Sequence, residues 1–253
     1  MSGVVYYFSA TGNSLYAAKV IAKKINAEVV QISYNTEKLY NQNIIGFVYP
    51  TFYWGLPEMV ATFVKNLNIK GNPYIFAVTT CGLSSGGALG QLNDILIKKG
   101  KCLHFGETIR TVANNITKYR IKQKSIQKLV RYENKKANEI AQAVAQKQKN
   151  KIPKVGIISR AFYQLYLKQY ANSDRGFHIT SDCTGCGICQ NICSADNIVL
   201  KNGKPVFKHQ CQNCLACLHW CPKNAIHWKN TTVGKQRYHH PNISYHDLKI
   251  KNK

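Results

Sequence analysis

The chain has 253 residues, 45% hydrophobic and 18% charged, enough for one large domain and a smaller one. Its 35 Lys and Arg against 11 Asp and Glu give a formal net charge of +24, which favours acidic partners, anionic lipid or nucleic acid without specifying any of them. No run reaches 18 uninterrupted apolar residues and no basic, cleavable leader opens the chain, so neither a transmembrane helix nor secretion is expected; the expected compartment is a reducing cytoplasm.

Residues 1–113 alternate short β-rich runs with amphipathic stretches. Strands are predicted near 3–8, 28–32, 43–48, 73–79 and 102–111, and helices near 13–25, 57–67 and 87–99. The crossover near 34–42 is polar and short and is left unassigned. Such alternation implies a parallel sheet with helices on both faces and right-handed crossovers. Ligands of open parallel sheets bind beyond the C-terminal ends of the strands, and three loops fall there.

The first loop reads Ser9-Ala10-Thr11-Gly12-Asn13-Ser14 and opens a helix. Hydroxyls, backbone amides and a helix N-terminus converge on one anion site suited to a terminal phosphate. The loop has no Lys or Arg and matches neither G-x-x-x-x-G-K nor G-x-G-x-x-G, which argues against a nucleoside triphosphate. Simple N-capping is the competing explanation. The second loop, 49–57, brings Tyr53 and Trp54 for stacking on a planar ring, beside Thr51 and Gly55; a hydrophobic lid without a ligand is its alternative. The third, 79–87, offers Gly82 and Gly86, beside Thr80, for close backbone approach to a ring edge; Cys81, near that ring, reads as a small filler, with a reactive thiol as its alternative. Cys102 is expected to point into the core from the fifth strand.

Residues 114–176 carry 15 Lys and Arg against 3 Asp and Glu, half of the excess charge in a quarter of the chain. A helix over 121–149, with Ile126, Leu129, Val130, Ala137, Ile140, Ala141 and Val144 in one stripe, would span about 43 Å. That exceeds the sheet it should cover, so a break or an overhang is expected. A second amphipathic helix over 155–171 has Ile158, Phe162, Leu165, Tyr166 and Tyr170 near one side. It suits a bridge between domains, or peripheral contact with a membrane surface.

Two cysteine runs follow. Cys183, Cys186, Cys189 and Cys193 stand as C-x2-C-x2-C-x3-C, and Cys211, Cys214, Cys217 and Cys221 repeat the spacing 28 positions on. Thiolates so spaced hold iron–sulfur clusters, with the fourth Cys of each run ligating the other cluster. Cys183, Cys186, Cys189 and Cys221 then form one set, and Cys193, Cys211, Cys214 and Cys217 the other. Zinc also accepts four thiolates, but its sites usually pair two C-x2-C units. Gly185 and Gly187 suit a tight loop around a bulky cofactor. Ser194 replaces the Pro that follows Cys221 in the second run and alters the turn there. The seven histidines from 178 to 246 lack paired ligand spacing, and His239-His240 reads as a surface feature. The basic tail, 229–253, is expected to lie extended over another surface or to be partly disordered.

The cysteine half resembles the two-cluster bacterial ferredoxins at all eight ligand positions. Residues 3–148 resemble flavodoxins in element order, with the phosphate loop matching at Ser9, Thr11, Gly12 and Ser14. The whole chain resembles bacterial fusions of the two, through the linker helix and into Arg237-Tyr238-His239-His240-Pro241. The resemblance implies an α/β fold: a flavodoxin-like five-stranded parallel sheet with helices on both faces, plus a small α+β two-cluster ferredoxin domain. It implies FMN, stacked on Tyr53 or Trp54, and two [4Fe–4S] clusters. The expected boundaries are 1–150, a linker helix over 151–176, the cluster domain over 177–230 and a tail over 231–253. The expected function is electron transfer with an acidic redox partner protein, with no specific nucleic acid. A flavin-dependent reductase of a small substrate, fed by the clusters, is the alternative. The basic net charge departs from the usual acidity of flavodoxins.

Overall fold

The strand β4 (Tyr74–Cys81) is buried along its whole length. A strand in that position needs cover on both faces, which a parallel sheet obtains from its crossover helices. In the computed structural model, which describes residues 3–33, 42–170 and 173–249, β4 sits inside a five-stranded parallel sheet. Its companions are β1 (Gly3–Tyr7), β2 (Glu28–Gln31), β3 (Ile44–Pro50) and β5 (Phe105–Arg110), in the order β2-β1-β3-β4-β5. That order is of the flavodoxin type, with the topological switch between β1 and β3. Most of the unassigned crossover, residues 34–41, lies outside the described residues.

Alternation along β1 sorts its side chains between two cores. Val5 and Tyr7 face α1 (Asn13–Ile25) and α4 (Gln123–Ala145), meeting Ala17, Ile21, Ala137 and Ile140. Val4 and Tyr6 face α2 (Glu58–Asn66) and α3 (Ala88–Ile97), meeting Val60, Phe63 and Leu92. Gly46 in β3 is required, because a Cβ there would lie 2.2 Å from the Phe76 ring.

Two sequence expectations are corrected, at Cys102 and at His240, and the overhang expected of the long helix is found. The fifth strand begins only at Phe105, so Cys102 lies in the turn after α3 and is exposed rather than in the core. The long helix runs from Gln123 to Ala145 without a break, about 35 Å. Its first ten residues, 123–132, include no buried one, so its basic N-terminal turns overhang the sheet. His240 is fully buried rather than a surface feature.

After α5 (Ile157–Tyr170) comes a small α+β unit. Strand β6 (Phe177–Ile179) pairs antiparallel with β9 (Ile226–Trp228), and β7 (Ile198–Lys201) with β8 (Lys204–Phe207). Two single-turn helices, α6 (Ile188–Asn191) and α7 (Ala216–His219), pack on each other. The tail folds back over the large domain and ends in α8 (Tyr245–Leu248), which a Ser244–Asp247 capping box opens. Helix α5 packs on the large domain through Tyr163, which is buried and donates to Leu56 O, and through an Arg160–Asp94 ion pair of 2.7 Å. Of the apolar stripe expected on α5, the side chains of Ile158, Phe162, Tyr166 and Tyr170 lie outside the described residues. Among the described residues no helix is long and apolar enough to cross a membrane.

Candidate functional site

The eight cysteines form two sets, each around its own hollow. Cys183, Cys186, Cys189 and Cys221 line the outer hollow. Cys193, Cys211, Cys214 and Cys217 line the inner one. The fourth cysteine of each run has crossed to the other set, because α6 and α7 carry Cys193 and Cys221 away from their own loops.

Both loops need left-handed backbone at the same two places. In the first these are Gly185 (φ 71°) and Gly187 (φ 77°); 28 positions on they are Asn213 (φ 49°) and Leu215 (φ 63°). Glycine enters this region freely, whereas Leu215 is held there at a cost. Gly185 also admits the β7–β8 turn, since a Cβ would lie 2.7 Å from Gly203 O.

The chemistry of the donors fits a cluster. Burial pushes the Cys189 and Cys214 thiols up to about 12, Cys211 higher still and Cys217 well above its ordinary value, and neighbouring cysteines add to the rise. Three of these, Cys211, Cys214 and Cys217, belong to the inner set, and buried thiols so close together become thiolates only around a strongly cationic centre. Backbone amides already point at sulfur: Asn197 N at Cys193 Sγ (3.3 Å), Asn213 N at Cys211 Sγ (3.2 Å) and Ala225 N at Cys221 Sγ (3.2 Å). Such bonds stabilise thiolate charge and tune potential.

The loops after β1, β3 and β4 converge. Ser14 Oγ and Thr80 Oγ1 are 2.7 Å apart, Thr51 N donates to Thr80 O (2.9 Å), and Asn13 Nδ2 donates to Val112 O (3.2 Å). Ser9 Oγ accepts from Gly12 N (3.2 Å), and Gly12 has φ 95° at the start of α1. Ser9, Thr11, Asn13 and Ser14 are all buried. Thr51 Oγ1 is buried and has no hydrogen-bond partner among the described residues. This orphan hydroxyl, beside the Ser14–Thr80 pair and a helix N-terminus, fits a phosphate-bearing ligand.

Tyr53 and Trp54 form the two-residue turn of a miniature hairpin, both with φ above zero, between bridged Phe52 and Gly55. Trp54 is 58% exposed. Tyr53 is half-buried, with Lys118 Nζ 5.1 Å from its ring centre and its phenol hydrogen-bonded to Asn115 and Asn213. It therefore touches the cysteine loop between Cys211 and Cys214. The cradle glycines are filled by protein: Gly55 faces Tyr163, Gly82 faces Ala113 and Gly86 faces Trp54. Cys81 is a buried thiol, raised by that burial.

Sequence reasoning missed how closely the small unit covers these loops. Phe8, directly before the first loop, lines the inner hollow. Trp220 Nε1 donates to Ala10 O (2.9 Å), Met59 N donates to Gln212 Oε1 (3.2 Å), and Gln31 Nε2 donates to Ser194 Oγ (3.1 Å). Ser194, the departure from Pro, thus makes an interdomain bond. His219 donates from Nε2 to Asn114 O (2.7 Å) and accepts at Nδ1 from Tyr238 N (3.1 Å), and burial lowers its pKa to about 4. The tail adds His239 stacked on Trp220, His240 stacked on Tyr16, and His240 N donating to Thr11 O (2.7 Å). His240 and Ile243 press on Gly12.

The fold and the cysteine sets define a protein that joins a flavodoxin-like α/β domain to a ferredoxin-type iron–sulfur unit. Residues 182–226 match the family described as 4Fe-4S dicluster domain. No curated protein matches the chain. Among solved structures it is similar to a flavodoxin from the domain Archaea, at 18% identity over 56% of this chain and 99% of that one, with a TM-score of 0.38. It is also similar to a Fusobacterium nucleatum flavodoxin bound to flavin mononucleotide, at 14% identity over 58% and 99%, TM-score 0.42. A third is an azoreductase from Bacillus anthracis, at 13% identity over 56% and 99%, TM-score 0.38.

Proposed function

We propose that the protein is an electron carrier that holds FMN at the loops after β1, β3 and β4 and a [4Fe–4S] cluster in each four-cysteine hollow. When bound, the flavin supplies exchange of electrons in pairs or singly, and each cluster supplies exchange of one. Cys183, Cys186, Cys189 and Cys221 hold the outer cluster; Cys193, Cys211, Cys214 and Cys217 hold the inner. Ser9, Thr11, Gly12, Asn13 and Ser14 bind the phosphate. Thr51, Thr80 and Cys81 flank the ring, and Tyr53, rather than the outward Trp54, takes its face; the open sides of Gly55, Gly82 and Gly86 are already taken by Tyr163, Ala113 and Trp54.

The observation that carries this reading is adjacency. Phe8 lines the inner hollow and immediately precedes the phosphate loop, while Tyr53 touches Asn213 between two inner-set cysteines. Electron hopping needs close, rigid, water-poor contact, and the Trp220–Ala10 and Met59–Gln212 bonds supply the rigidity. The partner is an acidic redox protein in the cytoplasm.

Anaerobic purification with iron, sulfide and flavin analysis tests the reading. About eight irons and one FMN per chain are expected. Stoichiometric zinc, or a protein that takes up clusters but no flavin, would overturn it.

A further inference from the structure

The two cysteine sets differ in their access to solvent. The inner set is turned toward the flavodoxin-like domain, with Phe8 in its wall. The outer set opens to solvent, and its Cys186 is exposed. Around that opening stand lysines from two places in the chain. Lys223 lines the hollow directly. Lys204 reaches over it to donate to Cys183 O (3.0 Å), and Lys201 pairs with Lys204 across the β7–β8 hairpin whose turn rests on Gly185. All three are exposed, and Val206 beside them is a 40% exposed apolar residue. Asp182 is the acid at the same rim.

We propose that this lysine rim around Cys186 is the docking surface for an acidic one-electron carrier protein. The proposal rests on the electron-carrier reading and adds where electrons cross the surface. In the step, one electron leaves the docked carrier, which is oxidised, and the outer cluster is reduced by one; no bond forms and no proton moves. Charge complementarity argues for the occupant: a cationic rim around an exposed redox edge attracts anionic proteins and steers them edge-first. The overhanging half of α4 is equally basic, with Lys124, Lys128 and Arg131 exposed, but carries no residue of either hollow. It therefore serves as the control for charge alone.

The test uses the cluster-loaded protein and a reduced, acidic plant-type [2Fe–2S] ferredoxin as probe, with electron transfer followed by stopped flow at low and high salt. K201E/K223E spares Lys204, which holds the Cys183 carbonyl, and is expected to slow the second-order rate about tenfold or more at low salt, with the difference vanishing at high salt. K124E/K128E is expected to change it less than about twofold. Deazaflavin photoreduction must still reduce K201E/K223E fully, and the milder K201Q/K223Q must fall between it and the parent. Equal losses in both charge-reversal variants, or no loss in K201E/K223E, would overturn the proposal while leaving the carrier reading intact. Absence of iron in the parent protein would overturn both.

Discussion

Tyr238 Oη donates a 2.8 Å hydrogen bond to Asn13 Oδ1, joining the tail to the phosphate loop across 225 positions of sequence. Both residues are buried, and Asn13 uses its amide nitrogen to hold Val112 O. The tail is thus a clasp whose contacts include the Trp220–His239 and Tyr16–His240 stacks.

Tyr238→Phe keeps the ring and removes only the donor. Leaving Asn13 Oδ1 buried without a partner should cost about 1–3 kcal/mol. Urea unfolding should show that loss, and limited proteolysis should cut the tail faster than in the parent. A variant with parental stability and an equally protected tail would mean that the clasp is held by its stacks alone.

Glu133 on α4 is fully buried with neither carboxyl oxygen partnered among the described residues, and burial raises its pKa to about 9. It faces His240 Nε2 at 3.8 Å, beyond hydrogen-bond reach, and burial lowers that imidazole to about 4. The pair is therefore neutral when folded: a protonated acid against a neutral ring. Between pH 6.5 and 9 the unfolded chain has lost the Glu133 proton and the folded chain keeps it, so stability falls by about 1.4 kcal/mol per pH unit. Between about pH 4.5 and 6.5 the unfolded chain instead protonates His240, and the opposite slope offsets the acid. Glu133→Gln should flatten the upper limb and raise stability most at pH 8–9, as read by denaturation at a series of pH values. An unchanged slope would place the titration on another group.

Both cysteine sets were legible in the sequence because ligand spacing is a short-range code that a tight loop must obey. The sheet was legible for the same reason: Val4, Val5, Tyr6 and Tyr7 read as a strand wherever they are placed. The clasp was not, because nothing local about Tyr238 or His240 announces a partner near residue 13. Gly55 and Gly86 signalled close approach correctly, but the sequence could not say that the approaching atoms would be Tyr163 and Trp54. Leu215 is the instructive failure: its strained backbone is dictated by the repeat, and only alignment with Gly187 betrays it.

Arg237 lies beside Cys221 and Cys217, one from each set. Its Nη2 donates to Ile226 O (3.0 Å), while Nε and Nη1 are buried without partners among the described residues. A fixed positive charge there favours the more negative, reduced clusters. Arg237→Gln should lower both midpoint potentials by on the order of 50–100 mV, and Arg237→Lys by less. An EPR-monitored redox titration reads this directly; equal potentials in parent and Gln variant would show the guanidinium to be screened or structural.

The crossed cysteine sets make a prediction that sequence-order pairing does not. Cys193 stands in the first run but lines the inner hollow with Cys214. Cys193→Ser should therefore lose about four of about eight irons, and Cys193→Ser with Cys214→Ser should lose no more, because both strike one cluster. Cys193→Ser with Cys186→Ser should lose nearly all, since Cys186 belongs to the outer set. If each run held its own cluster, the two double variants would exchange outcomes. Iron and sulfide analysis of anaerobically purified protein, with far-UV circular dichroism to confirm folding, decides between the two arrangements.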